Sequence, residues 1–103
     1  MKIISTTVTL DAAEVGTESA FWAAVFGGEV VGEGEYREIR APDGTTPVGV
    51  QLAPGQVATN WPEHQARVHL DVVVEDIDSA HDHVLSLGAT LLQRATGEET
   101  FNV

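Results

Sequence analysis

The side chains able to do chemistry are few. The chain has four histidines, at positions 64, 69, 81 and 83, and no cysteine. Without cysteine there is no disulfide, no thiolate metal site and no cysteine nucleophile. His81 and His83 form a His-x-His pair. On a helix they stand about 200° apart, at 3.6 residues per turn, so they cannot grip one ion and read as surface histidines. His64 reads as a solvated loop histidine shortly before His69. His69 opens the run His69-Leu70-Asp71-Val72-Val73-Val74-Glu75. If that run is a strand, His69, Asp71 and Val73 share one face, and Leu70, Val72 and Val74 turn to the other, against a helix. Glu33, Glu35 and Glu38 fall in short polar stretches expected to be exposed, and nothing supports them as general acids or bases. There is no Gly-x-Gly-x-x-Gly, phosphate loop or nucleophile elbow.

These residues need elements to position them. Residues 3–10 are rich in β-branched types and predict a strand. A helix follows, starting between Glu14 and Thr17, with Thr17 a reasonable cap. Phe21, Trp22, Val25 and Phe26 give it an apolar stripe expected to be core, and Gly27-Gly28 ends it. Three short strands are predicted at 29–31, 36–41 and 47–53, with Pro42-Asp43-Gly44 a turn before the last. Residues 54–66 read as a loop. Residues 67–75 are the clearest strand in the sequence. Asp76 or Asp78 can cap the next helix, whose buried stripe is Ile77, Ala80, Val84 and Leu87 and whose end is Gly88. A strand at 89–93 follows, and Phe101-Asn102-Val103 looks like the start of another.

The order repeats itself. Thr7-Val8-Thr9-Leu10-Asp11 lies over His69-Leu70-Asp71-Val72-Val73, and Phe26-Gly27 over Leu87-Gly88. Identity between the halves is low, so periodicity and punctuation carry the match. Carried through, the repeat places the counterpart of the strand holding Gln51 beyond Val103, so the second half is expected to lack its last strand. Thr7 and Thr9 share a face opposite Val8 and Leu10. Gln51, between Val50 and Leu52, faces the same side. Thr7, Thr9, Gln51, His69 and Asp71 are therefore candidates to line one polar cleft. Trp61 is open to three readings: a cover stacked over that cleft, a dimer contact, or plain loop packing.

Several segments together resemble a known family. The first is Ala20-Phe21-Trp22-Ala23-Ala24-Val25-Phe26-Gly27-Gly28-Glu29-Val30-Val31, and the second is the run from Val68 through Ala80. Leu87-Gly88-Ala89-Thr90 and Trp61-Pro62 add to the likeness. These resemble the vicinal oxygen chelate superfamily: the glyoxalase-like, bleomycin-resistance and dihydroxybiphenyl dioxygenase fold. The resemblance implies an α+β fold of paired βαβββ modules, here 1–53 and a truncated 67–103 joined by a 54–66 loop, forming a single domain. It also implies that four strand positions supply ligands to one divalent metal in the metal-dependent members. Carried onto this chain, those positions are Thr7, a poor ligand; Gln51, a weak oxygen donor; His69, a good nitrogen donor; and a fourth beyond Val103. A catalytic zinc usually has three protein ligands and a water, so this set is incomplete. His69 is either a retained ligand with Gln51, a hydrogen-bonding pocket residue, or a structural histidine.

Bulk charge narrows the partners. The net charge is −11, from 16 acidic and 5 basic residues, and the basic ones (Lys2, Arg37, Arg40, Arg67, Arg94) are scattered. Nucleic acid and anionic membrane are poor partners for such a surface. No apolar run approaches the roughly 20 residues that span a bilayer, and Met1-Lys2-Ile3-Ile4-Ser5 turns polar too soon for a signal peptide, so a cytoplasmic protein is expected. The expected function is small-molecule binding in a metal-free or metal-poor cleft, with no cofactor, by a homodimer. The alternative is a lyase or isomerase using a divalent metal.

Overall fold

The computed structural model describes residues 1–57, 68–95 and 102–103. The chain divides into two compact units, Met1–Ala58 and Thr59–Val103.

The first unit is a βαβββ module. Its elements are β1 (Val8–Ala12), α1 (Val15–Phe26), β2 (Glu29–Val31), β3 (Tyr36–Arg40) and β4 (Val48–Leu52). They form one four-stranded sheet in the order β1-β4-β3-β2. β1 runs parallel to β4, while β3 is antiparallel to both β4 and β2. Register decides which side chains share a face, because residues paired across strands point the same way. Val8 lies opposite Val48, and Val48 opposite Ile39. Ile39 in turn lies opposite Val30. One row along, Leu10, Val50 and Arg37 are aligned. This is the face that α1 covers, and Ile39, Val48, Val50 and Ala12 are buried there.

Strand β1 starts later than the sequence predicts and reaches Ala12 rather than Leu10. The reason is its partner: pairing begins at Val8 opposite Val48 and ends at Ala12 opposite Leu52. Residues 3–7, though mostly β-branched, join no ladder among the described residues.

Helix α1 meets the sheet through Val15, Ser19 and Ala23, its buried residues, spaced by one helical turn. The expected core stripe of Phe21, Trp22, Val25 and Phe26 is instead half-buried. Small residues take the contact line and let helix and sheet approach. The aromatic rings are displaced to the flank, where they pack on one another. Phe21 meets Trp22 edge-on with ring centres 5.2 Å apart, and Trp22 lies 6.2 Å from Phe26. Trp22 Nε1 donates to Glu18 Oε1 at 3.0 Å. The buried Ser19 hydroxyl is satisfied inside the helix by the Val15 carbonyl at 2.6 Å. The cap is Glu14, not Thr17, and it makes no side-chain capping bond.

The two glycines after α1 do different work. Gly27 takes the left-handed conformation at φ 64° and closes the helix. Gly28 has no such dihedral. It sits so close to β3 that an added Cβ would overlap the Arg40 carbonyl oxygen and press on Ala41 Cα. The predicted turn before β4 is present. Asp43 Oδ1 accepts from the Thr45 hydroxyl at 2.6 Å and the Thr45 N–H at 2.9 Å. These bonds, the hydroxyl's first, hold the Asp43 carboxyl below its ordinary range. Gly44 adopts φ 85°.

In the second unit, residues 68–74 are not part of any sheet, against the expectation of a clear strand. Val68 is 65% exposed and Val73 96%. β-Branched residues favour extended backbone, but a strand exists only through a ladder, and no described residue supplies one here. The element that does form is α2 (Ile77–Ser86). Asp76 caps it, accepting from the N–H groups of Asp78 at 3.0 Å and Ser79 at 3.2 Å, while the Ser79 hydroxyl donates to the second carboxylate oxygen at 2.9 Å. The Ser79 bonds, backbone before side chain, hold the Asp76 carboxyl below its usual range. Gly88, at φ 109°, ends the helix. The predicted stripe of Ile77, Ala80, Val84 and Leu87 is half-buried. The expected strand at 89–93 is reduced to a short backbone pairing: Gln93 and Val103 exchange hydrogen bonds at 2.9 and 2.7 Å, and Leu92 N–H also donates to Val103.

His81 corrects the sequence reading. It is 7% exposed rather than a surface residue. Arg94 Nη2 lies 2.8 Å from its Nε2, and the Asn102 amide nitrogen 3.3 Å from its Nδ1. Arginine can only donate, so Nε2 accepts. Asn102 Oδ1 accepts from the Ala95 N–H at 2.7 Å, tying the segment after α2 to the end of the chain. His83 is exposed, as expected.

Candidate functional site

α1 covers one side of the first unit's sheet, and no other described element of that unit covers the opposite side. Alternation assigns its occupants. In one row, Asp11 on β1 is aligned with Gln51 on β4 and Tyr36 on β3. In the next, Thr9, Gly49 and Glu38 are aligned. Beyond them lie Arg40 and Glu29, a register pair whose charged groups are 3.5 Å apart.

Gly49 is the centre of this grid, and the missing side chain matters. The Tyr36 ring lies over it: a Cβ built at Gly49 would meet Tyr36 Oη at 2.6 Å and ring carbons at 3.0 and 3.1 Å. Gly49 is buried, whereas Tyr36 remains 38% exposed. The sheet therefore carries an aromatic ring with one side seated on backbone. Gln51 and Glu38 beside it are half-buried.

The sequence-derived candidates divide between the units. Thr9 and Gln51 sit on the open face as the alternation predicts. Thr7 precedes β1, and its hydroxyl donates to the Thr46 carbonyl at 2.8 Å, so it serves the β1–β4 junction. His69 and Asp71 belong to the second unit, both exposed, with His69 Nε2 and Asp71 Oδ1 3.6 Å apart. Trp61 and His64 lie outside the described residues, as does Arg67. Among the described residues, no three His, Asp or Glu side chains come close enough together to hold a metal ion. Thr7, the superfamily's first-strand position, has its hydroxyl proton committed to the Thr46 carbonyl.

Tyr36, Glu38 and Asp11 were not singled out as site residues from sequence. Tyr36 carried a signal in hindsight: an aromatic next to an Arg-Glu-Ile-Arg alternation, opposite a strand with a glycine between valines. Reading it requires the β3–β4 register, which places Tyr36 against Gln51 and Glu38 against Gly49.

The family model for a glyoxalase-like domain matches residues 7–102, so the chain belongs to the glyoxalase-like domain family of the vicinal oxygen chelate superfamily. No curated protein and no solved structure matches it. The βαβββ order of the first unit and the α+β class agree with that membership. Among the described residues, no helix is long and apolar enough to cross a membrane.

Proposed function

We propose that the protein binds a small molecule on the open face of its first unit and needs no resident metal to do so. The observation that carries this reading is the spare hydrogen-bonding capacity concentrated there. Among the described residues, the Tyr36 hydroxyl, the Gln51 amide, the Glu38 and Asp11 carboxylates and the Thr9 hydroxyl have no hydrogen bond or ion pair. Gln51 and Glu38 are half-buried, so a ligand that pairs with them offsets part of their desolvation; Tyr36, Asp11 and Thr9 are exposed beside them. A single aromatic ring among them supplies apolar contact. His69 and Asp71 in the second unit, and Trp61, remain separate candidates for ligand contact on the sequence pattern alone.

A fragment screen by amide chemical-shift mapping tests this. Binders should move the Gly49 and Gln51 resonances, and Gly49→Ala, which denies Tyr36 its seat, should weaken them. Hits that map only to other surfaces would overturn the assignment. Elemental analysis of protein purified without added metal, repeated after incubation with zinc, nickel, manganese or iron, addresses the competing lyase or isomerase reading. Near-stoichiometric retention that disappears in His69→Ala would favour that reading.

A further inference from the structure

The open face offers acceptors and negative charge, and its cation is taken. Arg40 faces Glu29 at 3.5 Å. Glu38 and Asp11 face no cation: among the described residues, neither carboxylate has an ion pair or hydrogen bond. They occupy opposite corners of the grid, two strands and one residue pair apart, a separation of about 12 Å from strand geometry. Tyr36 lies between the rows with its ring over Gly49. A tyrosine face attracts a cation by its quadrupole, and a flat group stacks on it at little entropic cost. An anionic ligand would meet two uncompensated carboxylates.

Resting on the binding reading above, we propose that the ligand is a flat organic cation, an aryl amidine, arylguanidine or protonated heteroaromatic amine. Its ring lies on Tyr36, its charged end reaches Glu38 or Asp11, and the Gln51 amide bonds its edge. The amidinium N–H groups match the carboxylate as a planar fork. Nothing covalent is required.

The test uses three probes of one shape, benzamidinium, neutral benzamide and benzoate, titrated into the full chain and followed by amide shifts. Benzamidinium should move Gly49, Gln51 and Glu38 saturably, several-fold more tightly than benzamide, with benzoate weakest. The preference should shrink at high salt, where exposed charges are screened. Tyr36→Leu should weaken benzamidinium and benzamide together. Glu38→Gln with Asp11→Asn should weaken benzamidinium alone, by up to about fivefold, the scale of one partly exposed ion pair, and unchanged spectra elsewhere would confirm that both variants fold. Equal binding of benzamide and benzamidinium at these residues would overturn the cation inference while leaving the binding face intact. No perturbation of the face by any probe would overturn the inference for flat cations and count against the face itself. Benzamidinium binding that is indifferent to the double carboxylate variant would show that the charge recognition lies elsewhere.

Discussion

Adjacent glycines rarely allow a steric requirement to be separated from a conformational one, but Gly27 and Gly28 do. Gly27→Ala must hold alanine at φ 64° with nothing within 4 Å of its new methyl. The left-handed conformation costs a non-glycine residue about 1–2 kcal/mol. The stiffer unfolded chain returns about 0.4–1 kcal/mol, so the net loss is about 0.5–1 kcal/mol. Gly28→Ala has no dihedral penalty, but its methyl overlaps the Arg40 carbonyl oxygen and crowds Ala41 Cα. Both are backbone atoms and cannot rotate away. Arg40 also pairs with Glu29 at the start of β2, so relief means moving β2 off β3. Overpacking of this kind costs about 1–3 kcal/mol or more, and we expect at least about 2 kcal/mol, or roughly 8–16 °C in melting temperature for a unit of this size. Urea denaturation read by Trp22 fluorescence measures both variants, in a Trp61→Phe background so that one tryptophan reports. If Gly28→Ala costs no more than Gly27→Ala, the close approach of the helix end to β3 is wrong.

Other outcomes follow from the same structure. His81→Ala should destabilise the second unit by about 1–2 kcal/mol, mainly through lost packing, because Arg94 is exposed and can turn to water; His83→Ala should stay within about 0.5 kcal/mol. Hydrogen exchange at Leu92, Gln93 and Val103 distinguishes the two. Asp76 titrates below its ordinary value of 3.8 in the folded chain, so its stabilisation of α2 is present above that value and is lost as pH falls through the lower folded value. The amide shifts of Asp78 and Ser79 should report that midpoint, and Asp76→Asn should keep the cap while removing its pH dependence. Finally, among the described residues β1 is an edge strand and residues 68–74 bear exposed valines, features that promote pairing with another chain. We expect concentration-dependent dimers in sedimentation velocity; a monomer at every concentration would refute this.

Local chemistry was legible in the sequence where it is satisfied locally. The glycine stops at 27 and 88 and the Asp43 turn use partners within a few residues and were read correctly, and the cap of α2 was narrowed to Asp76 or Asp78, of which the structure has Asp76. The strands at 29–31 and 48–52 were also found close to their observed limits. What escaped depends on distant partners. β1 is bounded by where β4 begins and ends, 40 residues on (Val8 to Val48). The burial of His81 depends on Arg94 and Asn102. The valine-rich run at 67–75 has every intrinsic mark of a strand, yet 68–74 form no ladder with described residues. At the candidate site, alternation placed Thr9 and Gln51 on one face; Asp11 shares Thr9's face but lay past the predicted end of the strand at Leu10, and Tyr36 and Glu38 joined them only through register.

The parallel pairing of β1 with β4 also bears on how the first unit comes into being. β2, β3 and β4 are consecutive antiparallel neighbours, so their contacts are local and close quickly. β1 is synthesised before all of them but is placed when β4 exists, since its hydrogen-bonded neighbour among the described residues is the last strand of the unit. On a growing chain, Val8–Ala12 must therefore wait unpaired until Leu52 has emerged. During that interval a β-branched, ladder-competent segment is exposed, the kind of segment that chaperones bind and that aggregates nucleate on. Mutations weakening β4 would prolong the wait and lower the yield of folded protein beyond their effect on the finished fold.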